Sequence, residues 1–249
     1  MPVFVKICGL CSPADVRAVA ELGPDAMGFV FWSGSRRHVL PDAVAEWTAD
    51  LPAAILKVGV FVDATEDELR RTVETAGLDV VQLHGFQSLV RRSLGEGGLE
   101  KPALDFPTRL PASPAGPRGA GWPRTRAWGG QVFGKKAGEV SKVWTVVHLD
   151  RGAPAPDEGA RVDAYLLDSY SAESPGGTGR VLDWNRAREF VRTSRKPVLL
   201  AGGLTPENVE EAIRRVQPWG VDVSSGVEQA PGRKDLARVR AFIQRCRQS

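Results

Sequence analysis

The sequence predicts an α/β fold, a single (β/α)8 TIM barrel with an irregular insertion between its fourth and fifth strands, on three observations. Short β-rich runs alternate with amphipathic stretches that carry helix-start signals, the pattern of parallel βα units. Seven good units are present, and one further strand pattern brings the count to eight. Two glycine-rich runs, AGGLTPENV at 201–209 and GVDVSSGVE at 220–228, end the last two strand patterns, where a barrel of this class builds a phosphate pocket from loop backbone.

The elements follow in order. Val3–Cys8 is strand one, and Ser12-Pro13 supplies the N-cap and N1 of the helix behind it. Ala26–Phe31 is strand two, with a helix from Pro41 to about Asp50. Ile55–Val62 is strand three, followed by Thr65-Glu66-Asp67-Glu68, a capping box for the third helix. Val80–His84 is strand four. Strand five rests on Lys142–Val147, the strongest apolar run in its region, and Ala164–Ser169, Pro197–Ala201 and Gly220–Ser224 are strands six to eight. Helices are expected from near Asp183, Thr205 and Lys234. Approximately 86–141 breaks the rhythm: it is rich in Pro, Gly, Arg and Trp, and reads as an insertion or loop within one domain of 1–249. Val90–Leu94 reads as a remnant of helix four stopped by GEGG at 95–98, and Asp150–Arg161 is too short and Pro-rich for an ordinary helix five. Trp122 and Trp128 lie between basic residues there, and a solvated loop accounts for them better than nucleic-acid contact.

Composition narrows the function classes. A 42% hydrophobic and 25% charged chain with net charge +3 and interspersed signs has no basic stripe, which argues against nucleic-acid or membrane partners. No apolar run approaches the roughly 20 residues of a membrane span, and Met1–Leu10 lacks signal-peptide character. With an odd count of three cysteines, Cys8, Cys11 and Cys246, this places the protein in the cytoplasm.

Strand alternation identifies the inward residues. On strand one Phe4, Lys6 and Cys8 share a face, and the apolar alternates suit a covering helix. Lys6 and Cys8 therefore point into the barrel, Cys8 at the C-terminal rim where barrel chemistry occurs. The same parity turns Leu166 and Asp168 inward on strand six, and Asp222 and Ser224 inward on strand eight. A thiol near pKa 8.5 is a poor base at neutral pH. The expectation is that Asp222 holds Lys6, and that Lys6 raises the thiolate fraction of Cys8. Cys8-Gly9-Leu10-Cys11 also matches C-x-x-C, a redox or half-zinc signature, but further metal ligands at suitable spacing are not evident.

KICGL at 6–10, GFVFWSGSRRHV at 28–39, VGVFV at 58–62, VQLHG at 81–85, LLDS at 166–169, GGTG at 176–179 and the two tail motifs together resemble the phosphoribosylanthranilate isomerase family, over about 3–85 and 163–245. The resemblance implies an Amadori rearrangement in tryptophan biosynthesis on a small phosphorylated substrate. It implies no cofactor and no metal; for the assembly, a monomer or homodimer is the expectation. It implies that Cys8 is the general base at C2 and Asp168 the general acid at the furanose oxygen, and that Arg37 holds the anthranilate carboxylate, with Arg36 taking that place if the register slips. A planar bidentate guanidinium suits a carboxylate. The implied substrate-binding set is completed by His84, Gly176, Gly177, Gly202, Gly203, Asp222, Ser225 and Gly226, with Lys6 supporting. For His84, lining the pocket and a structural hydrogen bond to a neighbour both stay open. Asp168 has to be protonated when substrate arrives, although a free aspartic acid has a pKa near 4, so burial or the substrate must raise it.

The chain departs from the family between strands four and six, where about 40 residues are extra. Family members often carry a lysine on strand five near the site, for which Lys142 and Thr145 are alternatives. Two other functions stand beside the isomerase: the aminoimidazole carboxamide ribotide isomerisation of histidine synthesis, which expects a pair of aspartates where this chain has Cys8 and Asp168, and a catalytically impaired barrel acting as a binding protein.

Overall fold

The computed structural model describes residues 3–84, 142–149, 162–168 and 182–249. Eight parallel strands close into a barrel in chain order: β1 (Phe4–Cys8), β2 (Ala26–Val30), β3 (Leu56–Val62), β4 (Val80–His84), β5 (Lys142–His148), β6 (Ala164–Asp168), β7 (Val198–Leu200) and β8 (Gly220–Val223), with β8 pairing back onto β1. Strand five is where the sequence places it, paired with β4 from Val80↔Lys142 to Leu83↔Thr145 and with β6 from Trp144↔Ala164 to His148↔Asp168. The helices among the described residues are α1 (Pro13–Glu21), α2 (Pro41–Trp47), α3 (Glu66–Ala76), α4 (Trp184–Thr193), α5 (Val209–Val216) and α6 (Leu236–Gln248). The 86–141 segment, the helix-four remnant at Val90–Leu94 and the stretch Asp150–Arg161 lie outside the described residues.

Local chemistry explains where the helices begin. Ser12 Oγ accepts the Asp15 N–H at 3.1 Å, and Pro13 follows it as the first helical residue, where a missing N–H costs nothing. The capping box on α3 is reciprocal: Thr65 N donates to Glu68 Oε2 at 2.7 Å and Glu68 N to Thr65 Oγ1 at 3.3 Å. Asp183 and Asp235 each accept two first-turn N–H groups at the starts of α4 and α6. Near Thr205 the expected helix is delayed. Residues 205–208 form a turn in which Asn208 Oδ1 accepts the Thr205 N–H at 2.8 Å and Asn208 Nδ2 donates to the Gly203 carbonyl at 2.9 Å, so the regular helix starts at Val209.

A repeated device ties strands together at the barrel floor. Asp25, Asp79 and Asp163 each stand one residue before an even-numbered strand, and each carboxylate accepts the N–H of Val5, Lys57 or Val143 on the preceding strand at 2.7–2.8 Å. This satisfies backbone donors that would otherwise be orphaned in a partly buried place.

Two apolar layers result from the alternation. Val5, Ile7, Met27, Phe29, Phe61, Leu83, Leu167 and Leu200 face the helices in the larger core. Inside the barrel, Ala26, Val58, Val80, Trp144, Val146, Ala164, Leu166 and Leu199 pack together, and Phe4, stacked on Trp219 with centroids 4.4 Å apart, closes the floor beneath Trp144. This plug leaves the C-terminal mouth as the polar end of the barrel.

Candidate active site

The mouth begins with β1. Lys6 is fully buried, and its Nζ donates to Asp222 Oδ1 at 2.8 Å across the β1–β8 seam, as the pattern predicts. Burial works against the Lys6 ammonium, but Asp222 and Cys8 outweigh it and its pKa lies above the ordinary value. Cys8 sits one turn of the pleat farther up, and Gly28 on β2 makes room for it: a Cβ there would lie 2.7 Å from Cys8 Sγ and 3.1 Å from Lys6 Cε. The expected activation of the thiol is only half present. Lys6 and Lys234 favour the thiolate, yet burial is the larger effect and pushes the Cys8 thiol above its usual range. Water that would solvate the thiolate is excluded from this depth, so the resting group is a thiol.

Loop backbone from β7 and β8 forms a small cavity. Its volume is about 50 Å³, lined by Ala201, Gly202, Gly203, Leu204, Val223, Ser224, Ser225 and Gly226 together with Asp168 and Asp222. Gly202 and Gly203 have φ of 80° and 67°, the left-handed region that glycine enters without strain. At Gly226 a Cβ would run into the Leu204 carbonyl, so glycine there lets the two loops abut. The sequence-derived Gly202, Gly203, Ser225 and Gly226 thus meet in one place with Asp168, while Gly176 and Gly177 lie outside the described residues.

Arg37 reaches the mouth from the loop after β2, whereas Arg36 beside it is exposed. The stem of Arg37 lies over Gly9, where a Cβ would be 2.5 Å from Arg37 Cδ and 2.8 Å from Ser224 Oγ. Its guanidinium is paired with Glu228, a partner that the sequence reading did not single out. Cys11 is partly buried, bonded at 3.5 Å to the carbonyls of Gly9 and Arg37, and its thiol is pushed up to about 11 by burial.

His84 and His148 face each other at the rim, with ring centroids 6.2 Å apart. His84 ends β4 on the C-terminal side of the barrel, and its Nε2 lies 3.3 Å from Gln82 Nε2. Burial, then repulsion from His148 and Lys6, lowers its pKa to about 3, so it is neutral, and the Gln82 amide as placed donates to it. His148 was missed in the sequence. It pairs with Asp168 across β5 and β6, whereas Lys142 starts β5 at the floor and Thr145 has the outward parity. Counting inward positions from Trp144 would have found it.

Fold and site define a (β/α)8 barrel enzyme for a phosphorylated small molecule, with a thiol, a carboxyl and a guanidinium around one mouth. Comparisons with known proteins sharpen that class. The pattern of the N-(5'-phosphoribosyl)anthranilate (PRA) isomerase family matches residues 5–101 and 136–245. The N-(5'-phosphoribosyl)anthranilate isomerase of Geotalea uraniireducens is 39% identical over 243 residues, covering 98% of both chains, and that of Magnetococcus marinus is 39% identical, covering 98% of this chain and 94% of its own. The phosphoribosyl anthranilate isomerase of Thermotoga maritima superposes with a TM-score of 0.71 at 29% identity, covering 99% of this chain and all of that one. A phosphoribosyl anthranilate isomerase in complex with reduced 1-(o-carboxyphenylamino)-1-deoxyribulose 5-phosphate gives 0.68 at 27% identity over 99% of this chain and 100% of its own. This chain belongs to the phosphoribosylanthranilate isomerase family.

Proposed function

We propose that this chain isomerises N-(5-phosphoribosyl)anthranilate to 1-(2-carboxyphenylamino)-1-deoxyribulose 5-phosphate, with Asp168 as general acid and Cys8 as general base. The observation that carries the residue roles is the shared mouth: Asp168 lines the same cavity as the glycine loops, and Cys8 stands on the strand that Lys6 ties to Asp222 of that cavity. With the phosphate held by backbone N–H groups around Gly202, Gly203, Ser225 and Gly226, and the anthranilate carboxylate by Arg37, the ribose is stretched between two anchors. Asp168 delivers its proton to the ring oxygen, the C1–O bond breaks, and an iminium forms at C1. Cys8 then takes the C2 proton, giving an enol that tautomerises to the ketose.

The acid must arrive protonated and the base ionised. One proton shared by the pair thus sits on the carboxyl rather than the thiol in the productive state, against the order of their ordinary pKa values. Lys6 and Lys234 beside Cys8 favour that arrangement. His84, neutral at working pH, serves as a hydrogen-bonding wall rather than as an acid.

The surroundings of the reaction follow from the same reading. We take the enzyme to work in the cytoplasm, as a monomer or homodimer without a nucleic-acid partner, which is supported by the interspersed charges of both signs along the chain; among the described residues no helix is long and apolar enough to cross a membrane. A Thermotoga maritima relative is described both as dimeric and as generated monomers.

Turnover of freshly generated phosphoribosylanthranilate, followed by loss of its fluorescence, tests the proposal. Wild-type activity that Cys8→Ala and Asp168→Asn each reduce by at least the ~10²-fold of a lost acid or base supports it. Near-normal turnover in either variant removes that residue from its role, and a folded wild type without turnover overturns the activity.

A further inference from the structure

Arg37 is held before any substrate arrives. Its Nε donates to Glu228 Oε1 at 2.9 Å and its Nη2 to Glu228 Oε2 at 2.6 Å, a two-point clamp on one edge of the guanidinium. The same carboxylate is gripped from behind by Lys234, whose Nζ lies 2.8 Å from Glu228 Oε1 and 3.3 Å from the Ser224 carbonyl oxygen. The side chains of Lys234 and Glu228 are 0% and 4% exposed. They face each other because Glu228–Ala230 (β9) and Arg233–Lys234 (β10) form a small hairpin through Gly232, with φ of 81°. The hairpin is pinned in turn, since Lys234 N donates to Asp15 Oδ2 at 3.0 Å.

Burying three charges in a row is a poor way to stabilise a fold, because apolar residues of the same volume do it at lower desolvation cost. The arrangement does something an apolar cluster cannot. Two cations and one anion leave a single net positive charge, and the clamp fixes where it points. A guanidinium has five N–H donors, of which Glu228 takes two on the side edge. Among the described residues Nη1 has no hydrogen-bond partner, so the end edge of Nη1 and Nη2 stays available for a second carboxylate.

We infer that Glu228, braced by Lys234, is a positioning residue that aims the end edge of Arg37 at the aromatic carboxylate of the substrate, and thereby sets the selectivity for an ortho-carboxylated aromatic amine. The inference rests on the carboxylate-binding role of Arg37 given above. A free arginine at the rim would have to be ordered on each binding event, whereas the clamped one is pre-organised. Lys234 matters through Glu228: without it the carboxylate is free to swing with Arg37 into the mouth.

Two ligands separate this role from a purely structural one. Reduced 1-(2-carboxyphenylamino)-1-deoxyribulose 5-phosphate and the same compound without its carboxyl group are titrated calorimetrically against wild type, Glu228→Gln and Glu228→Asp. The expected result is that wild type prefers the carboxylated ligand, that Glu228→Gln weakens it at least tenfold, and that affinity for the decarboxy analogue changes less than twofold. In turnover, KM rises more than kcat falls. Should Glu228→Gln fail to fold, Glu228→Asp keeps the charge but draws Arg37 back, and shows the same discrimination in smaller measure. Equal weakening of both ligands, or of neither, overturns the inference. A wild type with no preference between them overturns it through Arg37, and a wild type that binds neither overturns the isomerase reading itself.

Discussion

Replacing Lys6 by Met probes the seam on which the site is built. Methionine nearly matches the length of the lysine stem, so little volume is lost, and the cost is electrostatic: the Asp222 carboxylate remains with 10% of its side chain exposed and without the ammonium 2.8 Å away. Breaking a buried ion pair from one side costs about 3–5 kcal/mol. For a chain of this size each kcal/mol lowers Tm by roughly 2–4 °C, so a drop of about 6–20 °C is expected. Lys6→Met/Asp222→Leu replaces both partners and should recover most of the loss. Because the Lys6 pKa is raised in the fold, its contribution is fully present below the unfolded lysine value near 10.4 and is lost only as pH rises through the folded value. The gap between wild type and Lys6→Met in urea unfolding should therefore be flat from about pH 7 to 10 and narrow above that. Lys6 is also the strongest group holding the Cys8 thiol down, so alkylation of Cys8 should move to higher pH in the variant. A loss below about 1 kcal/mol, or a double variant as unstable as the single, would refute the ion-pair argument; an unchanged alkylation curve would show the thiol indifferent to Lys6.

Other perturbations test other parts of the mouth. Gly226→Ala sets a methyl against the Leu204 carbonyl and should part the two loops, raising KM for phosphorylated substrate about tenfold or more; unchanged KM would mean that the loops do not jointly hold the phosphate. His84 has a pKa of about 3 in the fold against 6.5 for a free histidine, so the unfolded chain gains a proton first and stability is lost as pH falls from 6.5 toward 3. With about 1.4 kcal/mol per unit as a ceiling, reduced by solvent at the mouth, His84→Gln should flatten that limb of the stability curve, and an identical limb would remove His84 from it. The Cys246 thiol, pushed up to about 12 by burial from a usual 9.0, should cost stability as pH rises between those values; Cys246→Ala should lessen that alkaline slope, measured by urea unfolding at pH 9 and 11.

Most of the barrel was legible because its signals are local. Alternation on β1 identified Lys6 and Cys8 as inward, Ser12-Pro13 and Thr65–Glu68 announced their helices, and the glycine runs marked the ends of β7 and β8. What escaped depends on distant neighbours. Glu228 ends a glycine-rich run and Lys234 stands near an expected helix start, and their pairing exists only because a hairpin folds them under Arg37, 191 residues away from Glu228 in sequence. The help that Lys6 gives the Cys8 thiolate is visible two residues away, whereas the burial that outweighs it is set by the whole barrel and has no local signal. The late start of α5 reflects Asn208, whose side chain serves the Gly203–Thr205 loop instead of extending the helix. His148 shares the inward parity of Trp144 and Val146, whereas Lys142 on the same strand falls at the floor.

The ion pair between Lys6 and Asp222 joins residues 216 positions apart, one on the first strand and one on the last. A chain emerging from the ribosome makes Lys6 at the outset and carries it without its counter-ion until nearly everything else has been synthesised. Seven strands can pair before that moment, but none of them supplies the group that lets the ammonium be buried next to the thiol. Neutralising the buried ammonium and closing the sheet are therefore one event, and a barrel stalled short of its last strand is both unsealed and left with a lysine that nothing on the other seven strands pairs in this way.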